Sequence, residues 1–165
     1  MVREPLCGYM LTWTTYGAWL HGDERGSYNR KAKSIADHEV APNPRLQKLR
    51  SDQLKNAPVL LDGPMRKVVR LAIEDACAFR DCKLLALNVR TNHVHVVLPL
   101  QMPAKRLLHD LKARATRALR DAGLVVRTDA VWTSGGSTSL LYGNKSLADA
   151  IEYVVKGQGA PLPEA

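Results

Sequence analysis

The side chains of this sequence best suited to chemistry are His93 and His95, in the run Asn92-His93-Val94-His95-Val96-Val97. Alternate residues of a strand share a face, so both imidazoles fall on one side, about 7 Å apart along the chain. Val94, Val96 and Leu98 then turn the other way. Two adjacent imidazoles on an otherwise apolar strand suit a divalent metal ion. They equally suit two histidines hydrogen-bonded to their neighbours, and the spacing leaves both readings open. If they are ligands, metal binding should weaken below about pH 6.5, because a protonated imidazole cannot ligate.

The second candidate is Tyr153. It lies in a C-terminal stretch where Leu147, Ile151, Val154 and Val155 recur as an apolar set. Tyr153 falls outside that set, beside Glu152 and Lys156, where a tyrosine can pack or present its hydroxyl. Tyr142, its rival, is expected at a strand end in a structural role.

The elements that must hold these residues follow from the same pattern reading. Leu6 to Tyr16, rich in Thr, Trp and Tyr, reads as a first strand. From about 21 to 62 a polar excursion follows, with a short helix expected around Pro44 to Lys55. Gly63-Pro64 opens a helix with Met65, Val68, Val69, Ala72, Ala76 and Phe79 on its apolar face. Arg66, Lys67, Arg70, Glu74 and Asp75 take the other face. Two strands, Lys83 to Val89 and His93 to Leu98, are joined by a turn at Arg90 to Asn92. A helix from Pro103 carries Leu107, Leu108, Leu111, Ala115, Ala118, Leu119 and Ala122, and Gly123 stops it. A strand-like run spans Val131 to Tyr142. The last helix is expected to open at Ser146, with Asp149 in a capping box. This order predicts one α+β domain over residues 1–165 with a ferredoxin-like split β-α-β core and an antiparallel sheet. Helices would cover one face of the sheet, and the extra C-terminal helix would lie near the open one.

The charge narrows the class of partner. Lys and Arg number 24 against 16 Asp and Glu, a net +8, which favours polyanions. Arg66, Lys67, Arg70, Lys105, Lys112, Arg114 and Arg117 are candidate contacts for a phosphate backbone. Trp19 is a candidate platform for an unpaired base, whereas Trp13 is expected in the core. A metal-dependent enzyme acting on small substrates sits awkwardly with this charge. Cys7, Cys77 and Cys82 lack metal-finger spacing and read as reduced thiols of a cytoplasmic protein. No apolar run reaches membrane-spanning length, so no membrane partner is expected.

Four segments together resemble the HUH-type single-tyrosine transposases, which include insertion-sequence and REP-associated enzymes. They are TWTTYGAWLHGDERGS (12–27), NHVHVVL (92–98), VWTSGGST (131–138) and AIEYVVKGQG (150–159). Their order and intervals agree over nearly the whole chain. The resemblance implies cleavage and rejoining of single-stranded or hairpin DNA. It implies Mg²⁺ or Mn²⁺ on His93 and His95, Tyr153 as nucleophile, a 5′-phosphotyrosine intermediate and, often, a homodimer. In related proteins a polar third ligand follows the tyrosine by one helical turn. Here that position is Gly157 and the amide is Gln158. Five residues rotate a regular helix by roughly 140° away from the Tyr153 face. Gln158 is the expected third ligand if Gly157 ends the helix early, with Asp149 as the alternative. A domesticated nucleic-acid binder that has lost catalysis is the competing reading.

Overall fold

The structure, a computed structural model, describes residues 4–28 and 39–163. Part of the expected excursion, 29–38, lies outside them. The elements are β1 (Leu6–Thr14), β2 (Ser27–Tyr28), β3 (Glu39–Val40), α1 (Pro44–Asp52), α2 (Gly63–Phe79), β4 (Ala86–Val89), β5 (His93–Pro99), α3 (Ala104–Asp121), β6 (Ser137–Tyr142) and α4 (Gly143–Lys156).

Four strands form an antiparallel sheet in the order β4-β5-β1-β6, and β2 pairs separately with β3. β5 is inserted between β1 and β4, which α2 connects, so the arrangement is the split β-α-β of an α+β fold. The alternation of β5 decides what each face does. Val94, Val96 and Leu98 join Leu11 and Trp13 of β1 in the main core, together with Val69 and Ile73 of α2 and Leu107, Leu111 and Leu119 of α3. Val97, on the opposite face, packs with Ala86, Leu141, Ala150 and Val154, so α4 covers the side that carries the histidines.

Local sequence explains the helix starts. Asn43 caps α1 by accepting from Leu46 N at 3.1 Å, and Asp62 caps α2 by accepting from Met65 N at 2.9 Å. Pro44 and Pro64 occupy first-turn positions, where a missing N–H leaves no bond unmade. The last helix departs from expectation. Gly143, at φ 72°, turns the chain from β6 directly into α4, so the helix begins three residues before Ser146 and has no side-chain cap. Asp149 pairs instead with Lys145 at 3.1 Å.

Some residues face the other way from what their spacing predicts. Arg66, placed by periodicity on the polar face of α2, is buried at 6 % exposure, whereas Phe79 is 79 % exposed. The Phe79 ring lies under the guanidinium of Arg114, 5.3 Å from its centroid. Val155 is also exposed. The strand expected from Val131 is confined to Ser137–Tyr142, and Trp132 makes only an isolated bridge with Thr15. Trp13 fills the core as expected, with its ring edge-on to Trp132 at 6.0 Å. All three cysteines are free. Among the described residues, no helix is long and apolar enough to cross a membrane.

Candidate active site

The His93 and His95 rings lie on the α4 side of the sheet, with centroids 4.8 Å apart. β5 places them there by alternation, and the neighbouring strands fix their orientation. Thr12 of β1 stands opposite His95 in the register, and its Oγ1 is 2.8 Å from His95 Nδ1. Asn92, just before β5, places Oδ1 2.7 Å from His93 Nδ1. Each ring is therefore held at one nitrogen by a side chain that the His-x-His spacing alone did not single out.

α4 brings Tyr153 over this pair. The Tyr153 and His95 ring centroids are 5.7 Å apart at 75°, within one chain. Asn88 Nδ2 of β4 donates to Val154 O at 2.9 Å, tying the helix to the sheet edge beside the site. The packing of Ala150 and Val154 on the sheet leaves Tyr153 at the rim, 49 % exposed. Its hydroxyl has no hydrogen bond among the described residues. Tyr142 is similarly exposed but, as expected, ends a strand: it is the last residue of β6 and the N-cap of α4.

Gln158 also reaches the histidines. α4 ends at Lys156, and Gly157 caps it through an N–H bond to Tyr153 O at 2.8 Å. Beyond that cap the chain leaves the helical path, and Gln158 Oε1 comes to 3.2 Å from His93 Nε2. The alternative, Asp149, points to solvent in its pair with Lys145.

Both imidazoles are held neutral at pH 7. Burial pushes His95 down to about 4, with help from neighbouring His93 and against a hydrogen bond to Gln158. His93 is lowered by burial first; a bond to Gln158 opposes this, and the charges of Arg90 and Arg25 add to it. A neutral His93 has one N–H but faces two amide oxygens, Asn92 Oδ1 and Gln158 Oε1. A donation to Asn92 leaves two acceptors, His93 Nε2 and Gln158 Oε1, turned towards each other. A cation between them relieves this clash, and 3.2 Å suits neighbouring ligands of an ion bound at about 2.1 Å. The donor set is neutral, since among the described residues no three His, Cys, Asp or Glu side chains gather at one point.

A rim residue missed in the sequence is Arg25. Its guanidinium lies 4.6 Å from the Trp19 ring centroid and pairs with buried Asp23 at 2.6 Å. That pairing holds Asp23 down at about 2. Trp19 Nε1 donates to Gly26 O at 2.7 Å, so this loop is internally braced. The α3 candidates are placed elsewhere. α3 packs on the opposite face of the sheet, with Lys105, Arg114 and Arg117 directed to solvent. Lys112 Nζ donates to Thr133 O and Gly135 O at 2.7 and 2.6 Å, bracing the segment before β6. Lys67 is exposed on α2, whereas Arg66 and Arg70 line a cleft at the β4 edge.

The sequence matches the family model described as Transposase IS200 like over residues 54–156, well over half of the chain. The match contains His93, His95 and Tyr153 and ends two residues before Gln158. Among solved structures, one similar chain is a REP-associated tyrosine transposase bound to a REP hairpin. It is 13% identical with a TM-score of 0.49, covering 96% of this chain and 72% of that one. Another is a candidate transposase from Deinococcus radiodurans R1, 16% identical with a TM-score of 0.45, covering 98% of this chain and 95% of that one. Comparison with the curated proteins finds no match.

Proposed function

Since the chain belongs to the family of IS200-like transposases, we propose that it cleaves and rejoins single-stranded or hairpin DNA, with Tyr153 as nucleophile. The observation that carries this reading is the convergence of Tyr153, His93, His95 and Gln158 on one sheet face, the tyrosine ring lying 5.7 Å from that of His95.

His93, His95 and Gln158 would hold a divalent ion, Mg²⁺ or Mn²⁺. Such an ion, when bound, supplies positive charge to the scissile phosphate and orients it. The mixture of two imidazoles and an amide oxygen favours Mn²⁺ over Mg²⁺, since carbonyl oxygens suit both and imidazole suits the softer metals. Thr12 and Asn92 fix the two rings and so the direction of their remaining nitrogens.

Tyr153 Oη attacks phosphorus and gives up its proton, and the bond from phosphorus to the 3′ oxygen breaks. The departing strand takes a proton as a 3′-hydroxyl, and the 5′ end stays on Tyr153 as a phosphotyrosine. Attack by a 3′-hydroxyl on that ester reverses the sequence and joins strands. No nucleotide cofactor is consumed, because the phosphotyrosine conserves the bond energy. Gln158, 3.2 Å from His93, supports catalysis over a binder that has lost it, which the Gly157 departure mildly favours. The approach of Tyr153 to His95 within one chain supports a tyrosine acting in cis, and a homodimer would then serve to pair two DNA ends.

The test is incubation with single-stranded hairpin oligonucleotides and Mn²⁺, followed by a denaturing gel. A covalent adduct in wild type that vanishes in Tyr153→Phe supports the reading. DNA binding with no adduct on any hairpin would favour the binder.

A further inference from the structure

At the free edge of β4 lies a cleft of about 490 Å³ between α2 and the segment that follows α4. Arg66, Arg70, Arg90 and Lys156 bring their positive charge to it, and among the described residues no carboxylate lines it; Arg70 has a partner of its own. Lys156 has a solvent-exposed partner in Glu152 at 3.3 Å. Arg66 is different: its side chain is buried, and among the described residues no acid pairs with it. Nη1 donates to Leu61 O at 2.7 Å and Nη2 to Pro163 O, while Nε has no partner among the described residues. Arg90 Nη1 donates to Ala160 O at 2.8 Å.

A guanidinium withdrawn from water without a counter-charge is costly, and backbone carbonyls offset only part of that cost. An anion whose oxygens take the planar fork of arginine, as phosphate oxygens do, would supply the counter-charge. The cleft adjoins the active site: Lys156 and Gly159, which line it, flank Gln158, and Asn88 stands beside His95 in the sheet register.

We propose that this cleft is a phosphate subsite, holding a phosphodiester of the single-stranded DNA next to the one at Tyr153. The proposal rests on the cleavage reading above. It gives the strand a second fixed point, so that the scissile phosphate is set by two anchors rather than by one.

The test scans single-stranded oligonucleotides in which one phosphate at a time is a neutral methylphosphonate, against wild type, Arg90→Gln and Arg66→Gln. One position other than the cleaved phosphate should weaken wild-type binding about tenfold. The same position should have no further effect in Arg90→Gln, whose log–log salt slope should be shallower by about 0.7. Arg66→Gln should behave alike; if it fails to fold, the half-buried Arg90 still decides. Wild type that binds and cleaves single strands, with no position whose effect disappears in Arg90→Gln, would overturn the subsite and leave the cleavage reading standing. Wild type that binds no single strand overturns both. Binding of inorganic phosphate in the cleft with a flat methylphosphonate scan would replace the strand by a free anion, and would likewise overturn the proposal.

Discussion

Gly157 lies so close to Tyr153 that a Cβ at position 157 would come within 2.9 Å of Tyr153 Cδ2 and 2.7 Å of its carbonyl oxygen. The departure from the expected spacing therefore has a structural counterpart. The residue without a side chain sits where the tyrosine ring leans, and the amide one position later reaches His93.

Gly157→Ala should displace the ring or the cap of α4 while leaving the core untouched. A shift of about 1 Å at a reacting group can lower a rate about 100-fold. We expect adduct formation to slow by at least tenfold towards that value, with thermal stability changed by less than about 1 kcal/mol. A time course of adduct formation beside a melting curve checks this, and a wild-type rate would show that the contact is immaterial.

Thr12→Val keeps the shape of a strand residue and removes the hydroxyl from His95 Nδ1. Partners that orient ligating histidines typically account for about 10- to 100-fold in metal affinity. Calorimetric titration with Mn²⁺ should show a loss in that range, with the melting temperature little altered. Unchanged affinity would mean that the Thr12 contact does not orient a ligand.

Acid should destabilise the fold through the histidines. His95 is neutral in the folded chain down to about pH 4, whereas in the unfolded chain it takes up a proton near 6.5. Between those values the unfolded state binds more protons. The stabilisation is thus fully present above about pH 6.5 and is lost as pH falls towards 4, by on the order of 3 kcal/mol. His93 shifts in the same direction. Urea unfolding at pH 7 and 4.5 measures this. The same burial moves the acid limit of metal binding below the 6.5 expected from unperturbed imidazole, so Mn²⁺ affinity at pH 6 should stay close to its value at pH 7. A loss centred at 6.5 would contradict the buried, neutral pair.

What the sequence made legible was what repeats locally. Alternation in β5 put both histidines on one face and Val94, Val96 and Leu98 on the other. Helical periodicity located α2 and α3. Contacts between distant segments were not legible. Arg66 reads as a surface residue of α2, because its burial comes partly from residues after α4, where Pro163 lies 97 positions away. Thr12 gains its role only through the pairing of β1 with β5, 83 residues on. The early start of α4 depends on a left-handed Gly143, whereas the pattern of Ser146 and Asp149 resembled a cap. Lys112 looked like one cation among several on α3, and its tie to Thr133 and Gly135 appears only when the loop returns.

Whether Tyr153 carries the DNA is read from peptide mapping of the covalent adduct. Cleavage after lysine and arginine separates the two rival tyrosines: Tyr153 falls in peptide 146–156 and Tyr142 in peptide 128–145. After nuclease trimming of an Mn²⁺-dependent adduct, mass spectrometry should find a nucleotide 5′-phosphate on Tyr153 within 146–156. The modification on 128–145, or an adduct that persists in Tyr153→Phe, would place the nucleophile on another residue.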